Sequence, residues 1–213
     1  VSVCLSGDGG DELFGGYNRY IWAKKFLFII NLMPKSSRLI LTRILSLIGI
    51  NNLNLVYKII NIICLNIINV KNSKSKIHKI INILKSSNEK DLYFRLVTQL
   101  EHNVTNLSKY SLNNYKIVND NVWSNKNLKF EEKLMYLDTK TYLPDDILVK
   151  VDRAAMANSL ETRIPLLDKR IAEFSFSLPL EFKIKKNKGK FILRNILKKY
   201  INQKLIDRPK QGF

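Results

Sequence analysis

The opening twenty residues, VSVCLSGDGGDELFGGYNRY, constrain the chain more than any other stretch. Val1 to Leu5 is too apolar for a strand with one solvated face, so it reads as a central parallel strand. A loop with glycines at 7, 9 and 10 follows, and then a helical pattern from about Leu13 to Met33 that stops near Pro34. A buried strand running through a glycine loop into a helix, with helical segments after it, points to an α/β protein in which helix dominates.

The loop is rich in acids as well as glycine. Glycines permit positive φ and let the backbone approach a ligand closely, and N–H groups at a helix start suit an anion such as phosphate. Asp8, Asp11 and Glu12 would repel that phosphate. A magnesium ion reconciles the two features, because hard carboxylate oxygens hold the metal and the metal holds the phosphates. The loop therefore reads as a magnesium–nucleotide site. The plainer alternative is a strand-to-helix turn whose acids complement the helix dipole. The letters GGDE also occur in diguanylate cyclases. There they lie at a hairpin tip with an aromatic residue after the glutamate, whereas here Leu13 follows and helical periodicity takes over.

The net charge of +18 on 213 residues raises nucleic acid or an anionic membrane as partners. The excess is lysine rather than arginine and travels with asparagine and isoleucine, as in GINNLNLVYKIINIICLNIINVKNSKSKIHKIIN. That is a bias spread along the chain and not a concentrated patch, so neither nucleic acid nor membrane is expected as a partner. A basic helical module for RNA or membrane surfaces is the alternative from another class, and it would show steep salt dependence. Cys4 and Cys64 form no CxxC pair and sit among apolar residues, which suggests reduced, buried thiols and a cytoplasmic protein. His78 and His102 lack metal-ligand spacing. Leu53 to Val70 is broken by Asn54, Lys58, Asn61, Asn66 and Asn69, too polar for a membrane span.

Three segments organise the chain: 1–33 with the loop and first helix, a variable helical region over 34–130, and a well-punctuated region over 131–213. The middle carries the helical patches RLILTRILSLI, IHKIINILK and DLYFRLVTQL between Asn- and Ser-rich breaks. In the last segment YLPDDILVKVDRAAMAN predicts a helix from Pro144, with Asp145 and Asp146 in its first turn and an Asp146–Lys150 i,i+4 pair. SLETRIPLLD alternates, with Leu160, Thr162 and Ile164 facing one way and Glu161 and Arg163 the other. Asp168 is an N-cap for KRIAEFSFSL, in which Ile171, Phe174 and Leu178 share a face. NKGK turns the chain into FILRNILKKY, whose expected core face is Leu193, Ile196, Leu197 and Tyr200.

Taken together these blocks carry a resemblance. LSGDGGDELFGGYNRY resembles the second signature of the synthetase domain of glutamine-hydrolysing asparagine synthetases. YLPDDILVKVDRAAMANSLETRIPLLDKRIAEFSFSLP is similar to that family's long C-terminal motif, and GKFILRNILKKY and LIDRPKQGF to its continuation. The blocks cover roughly half the chain in family order.

The resemblance implies an adenine nucleotide alpha hydrolase-like α/β domain, here mostly helical with one or a few parallel strands. It also implies ATP and Mg²⁺ as cofactors. The expected reaction is adenylation of the aspartate side chain with loss of pyrophosphate, followed by attack of glutamine-derived ammonia. On the family pattern Ser6, Gly7 and Gly9 contact the nucleotide. Asp8 serves the formation or resolution of β-aspartyl-AMP, and Asp11 is a magnesium ligand. Lys190 neutralises the departing pyrophosphate, and Arg194, one turn on, is placed to share its face. Glu161 is a catalytic candidate near the substrate amine or attacking ammonia, against a plainer reading as a buried ion pair with Arg163. Asp152 and Arg153 read as helix-packing charges, and the aromatics of ELFGGYNRY as core. Related architectures amidate other carboxylates, so the acceptor stays open.

The family's SGGxDS pyrophosphate loop is absent from these 213 residues, as is the N-terminal cysteine nucleophile of its glutaminase. The chain is therefore expected to be a piece of a longer synthetase, working with an N-terminal glutaminase domain of the same polypeptide and as a homodimer. By itself it is expected not to release pyrophosphate. A degenerate, non-catalytic remnant is the remaining reading, disfavoured by the intact Asp8, Asp11 and Lys190.

Overall fold

A computed structural model describes residues 1–48, 74–98, 121–202 and 205. The chain divides into two compact units, Val1–Ile21 with Glu131–Phe213, and Trp22–Phe130.

The first unit holds a parallel strand pair, β1 (Val3–Leu5) and β2 (Glu161–Arg163), in the register Val3–Glu161, Cys4–Thr162, Leu5–Arg163. Glu161 N–H donating to Ser2 O and Ser6 N–H donating to Arg163 O extend the ladder at both ends. The parallel direction agrees with the sequence, and Glu161 and Arg163 share the exposed face as the alternation requires. The central position does not hold among the described residues. There β1 has one neighbour, and Val1, Val3 and Leu5 are exposed. Cys4 is a free, partly buried thiol 3.7 Å from Thr162 Oγ1, while Cys64, His102 and the 53–70 run lie outside the described residues.

The helix expected from Leu13 to Met33 is two helices. Gly10–Leu13 is a single turn, and Asn18–Leu32 is the long one. Between them Gly15 adopts φ +68°, and Gly16 N–H donates to Asp11 O at 2.8 Å, closing a bend that a right-handed helix cannot continue through. Phe14 and Tyr20 are buried, as the core reading of the aromatics requires.

Helical structure resumes at Phe130, as the return of helical character in the sequence there predicts. Phe130–Lys140 is an α-helix, and the Leu143–Leu148 turns are wide π-type before α-helix resumes over Val149–Met156. Proline removes an i→i−4 donor and crowds the preceding turn, and π-type widening accompanies it here. Lys150 pairs with Asp146 at 2.7 Å. Val149–Met156 contains no buried residue, so Asp152 and Arg153 are exposed charges and not packing ones.

Asp168 caps Lys169–Ser177 by accepting from Arg170 N–H at 2.9 Å. Phe174 is half exposed and Ser175 is the buried residue of that helix. After the single turn Leu180–Lys183, Lys185 and Lys188 exchange both backbone hydrogen bonds around Lys186 and Asn187, each at positive φ. That is the geometry of a two-residue hairpin turn. Phe191–Leu197 follows, with Ile196, Leu197 and Tyr200 exposed and only Leu193 partly covered, so the expected core face is largely open.

In the second unit, helices Lys35–Ile48, Lys74–Leu84 and Glu89–Val97 match the three helical patches. Their apolar faces bury Leu45, Ile77, Ile80, Ile83, Leu84, Leu92 and Leu96, each such side chain stabilising by about 1.5–3 kcal/mol. Arg38, also buried, donates to the carbonyls of Met33, Leu84 and Ser86, and burial holds its pKa below the usual value. Among the described residues no helix is long and apolar enough to cross a membrane.

Candidate active site

Two glycine-bearing bends of the first unit lock together. Lys190 N–H donates to Phe14 O at 3.0 Å, and a Cβ on Gly189 would lie 2.1 Å from Gly15 O. A Cβ on Gly16 would lie 1.9 Å from Asp11 Oδ1 and 2.4 Å from Lys190 Cε. The Gly189 clash is with backbone, so only glycine there lets the bends close, whereas a side chain at 16 would have to displace the Asp11 carboxylate and the Lys190 stem. Lys190 itself sits at φ +54°, a left-handed conformation held by its hydrogen bond to Phe14. Arg194 Nε donates to Gly189 O at 3.1 Å and braces the same bend from within the following helix.

The interlock brings together two of the residues predicted from sequence. Lys190 Nζ lies 2.9 Å from Asp11 Oδ2, each side chain 29% exposed, which leaves both reachable by a ligand. Asp11 Oδ1 is buried and has no hydrogen-bond partner. An orphaned carboxylate oxygen of this kind is a group that a hard cation would satisfy. Among the described residues no three metal-ligating side chains gather, so no more than one or two carboxylates could hold such a cation here. That suits magnesium, which is commonly held by one or two carboxylates with substrate phosphates and water.

The other predicted residues are placed as follows. Ser6 Oγ donates to Asp8 Oδ2, which ties the Asp8 carboxylate to its own loop. Gly7 lies in open space and is exposed. Gly9, at φ +76°, packs so closely on Leu167 that a Cβ would come within 2.4 Å of it, so its role here is steric. Arg163 Nε donates to Glu161 Oε1 at 2.8 Å, but the side chains are 65% and 55% exposed, and the expected buried pair is a solvated one.

A second polar cluster, which sequence reasoning missed, underlies the bend. Glu12 is 1% exposed and accepts from Tyr17 Oη at 2.6 Å. Burial pushes the Glu12 carboxyl up, with the Tyr17 hydrogen bond opposing. Burial and then Glu12 push the Tyr17 phenol up. Arg19 lies 4.1 Å from the centre of the Tyr17 ring and 4.6 Å from that of Tyr142, and its Nε donates to Asp138 Oδ2 at 2.8 Å. Tyr20 Oη donates to the same oxygen at 2.7 Å. The spacing of 118 residues between Tyr20 and Asp138 leaves no local signal in the sequence. The one available hint was the run of aromatic and charged residues directly after the second glycine pair.

Comparison with known proteins gives a consistent picture. The family model described as asparagine synthase matches residues 1–213. The chain is 30% identical over 229 residues to asparagine synthetase [glutamine-hydrolyzing] 1 of Bacillus subtilis (strain 168), covering 100% of this chain and 30% of that relative. It is 40% identical over 81 residues to a putative asparagine synthetase [glutamine-hydrolyzing] of Mycobacterium tuberculosis (strain ATCC 25618 / H37Rv), covering 38% of this chain and 12% of the relative. It is 36% identical over 88 residues to the asparagine synthetase [glutamine-hydrolyzing] of Homo sapiens, covering 40% and 15%. The chain thus spans less than a third of the length of these relatives. No solved structure matches it.

Proposed function

The chain belongs to the asparagine synthase family, and from that premise we propose that it forms the diphosphate-binding part of a ligase that amidates a carboxylate at the expense of ATP. The family's adenine nucleotide alpha hydrolase-like fold accounts for a parallel strand pair in an otherwise helical chain. The proposed substrate is aspartate, activated as its acyl-adenylate and attacked by ammonia drawn from glutamine. The observation that carries the reading is the 2.9 Å approach of Lys190 to Asp11 across an interlock that glycines 16 and 189 make possible.

Each residue then has a physical task. Lys190 places a flexible cation where negative charge builds up on the leaving diphosphate, and charge stabilisation at that point lowers the barrier. Asp11 would hold magnesium through the oxygen that Lys190 now occupies, and the metal would supply charge neutralisation to phosphate. Arg194 fixes the Gly189 carbonyl and so the origin of the Lys190 side chain. Ser6 and Gly7 lie on the part of the loop that would meet the nucleotide, Gly9 shapes that loop by packing on Leu167, and Ser6 orients the Asp8 carboxylate for the acyl-adenylate step. Glu161, exposed at the edge of β2, is available to the incoming amine.

The test is substrate-dependent exchange of label between pyrophosphate and ATP, run on a polypeptide of the relatives' full length that carries this chain. Exchange that requires aspartate, and falls about a hundredfold or more in Lys190→Ala, supports the reading. Exchange driven by another carboxylate overturns the substrate. Exchange indifferent to Lys190 overturns the site.

A further inference from the structure

We infer that Asp11 and Lys190 cap each other in the ligand-free chain and are released together, so that a divalent cation and a diphosphate bind with positive coupling. The inference rests on the ligands proposed above and concerns how the site is loaded.

Neither oxygen of Asp11 is open to a cation in this arrangement. Oδ2 is taken by the Lys190 ammonium at 2.9 Å. Oδ1 is buried beneath Gly16, whose missing side chain is what allows the carboxylate and the lysine stem to pack there. The backbone on both sides is pinned, by Gly16 N–H on Asp11 O and by Lys190 N–H on Phe14 O. The partly exposed Lys190 side chain is therefore the mobile element.

Charge bookkeeping then sets the order of events. A divalent cation arriving alone has to evict the ammonium and leave it beside two further positive charges. A diphosphate arriving alone has to draw Lys190 away, leaving Asp11 with both oxygens unpaired and facing more negative charge. When the two arrive together, the cation takes Asp11 and the diphosphate takes Lys190, and every charge keeps an opposite neighbour. By linkage each ligand raises the affinity of the other by the same factor. A half-buried pair of this exposure withholds about fivefold of each separate affinity.

The experiment measures three dissociation constants on the chain: Mn²⁺ alone by electron paramagnetic resonance, inorganic diphosphate alone by calorimetry, and the two together with free concentrations corrected for their complex in solution. Lys190→Met is expected to bind Mn²⁺ alone about fivefold tighter than the unmodified chain, and Asp11→Asn to bind metal-free diphosphate about fivefold tighter. Both are gains in affinity, which a misfolded variant cannot produce. If the unmodified chain binds manganese diphosphate but neither variant gains, the mutual cap is overturned and the proposed ligands stand. If the unmodified chain and both variants bind no combination, the cap and the ligand assignment fall together.

Discussion

Two carboxylate–cation pairs stand in the same unit and are built on opposite principles. Asp138 is fully buried, takes hydrogen bonds from both Arg19 and Tyr20, and its cation is flanked by two aromatic rings. Asp11 and Lys190 are each about a third exposed, and one oxygen of Asp11 has no partner. In the first pair Asp138 holds strong partners within a buried network, although Arg19 Nη2, 2.7 Å from Asp138 Oδ2, makes no hydrogen bond either. In the second, exposure is the feature of interest, because a pair that solvent reaches from both sides is one that a ligand can take apart.

The sharpest way to break this contrast is Asp138→Ala, which strands the Arg19 cation and the Tyr20 hydroxyl. It should cost about 3–5 kcal/mol in urea unfolding, and a loss under about 1 kcal/mol would mean that the buried pair is no more structural than the exposed one. Gly16→Ala comes next. Its Cβ would land on Asp11 and Lys190, an overpacking cost of about 1–3 kcal/mol. Tyr20→Phe should cost about 1–2 kcal/mol by leaving Asp138 one donor short.

Lys190→Met should change stability by no more than about 1 kcal/mol, even though loss of this amine is expected to lower pyrophosphate exchange about a hundredfold. A stability loss as large as that of Asp138→Ala would erase the distinction. The finest probe is pH. Burial raises the Glu12 carboxyl above its ordinary value, so the folded state holds that proton more tightly than the unfolded state. Its contribution is full below the ordinary carboxylate range and is lost as pH rises through the raised value. Glu12→Gln should therefore become more stable relative to the unmodified chain as pH climbs through that window. A difference independent of pH would mean that Glu12 titrates normally.

How far the sequence carried depended on the range of the interaction. Asp168 as a cap, Asp146 with Lys150, the NKGK turn and the alternation around Thr162 all act within a few residues, and all are present. The parallel direction of β1 was read from its apolar run and is present, but the burial on both faces that the run implied is not, since Val3 and Leu5 stand exposed among the described residues. The break at Gly15 was not, because the apolar periodicity continues through it while the backbone does not. The faces of Lys169–Ser177 and Phe191–Leu197 looked like core from their spacing, but spacing says only that a face is apolar, and Phe174, Ile196 and Tyr200 stand open. Asp11 and Lys190 were expected in one site through family resemblance. The glycines that let them meet act at a distance of one atom, which no pattern of letters reports.

The two halves of that site lie at opposite ends of the chain, and synthesis runs in one direction. Residue 190 leaves the ribosome 179 positions after residue 11, a wait of about ten to forty seconds at ordinary elongation rates. For most of that interval β1 has no β2, and through all of it Asp11 has no lysine. Residues 22–130, which form a unit of their own, are all synthesised before β2 appears. The Asp11–Lys190 pair is thus a late contact, and a chain cut short before Lys190 lacks it.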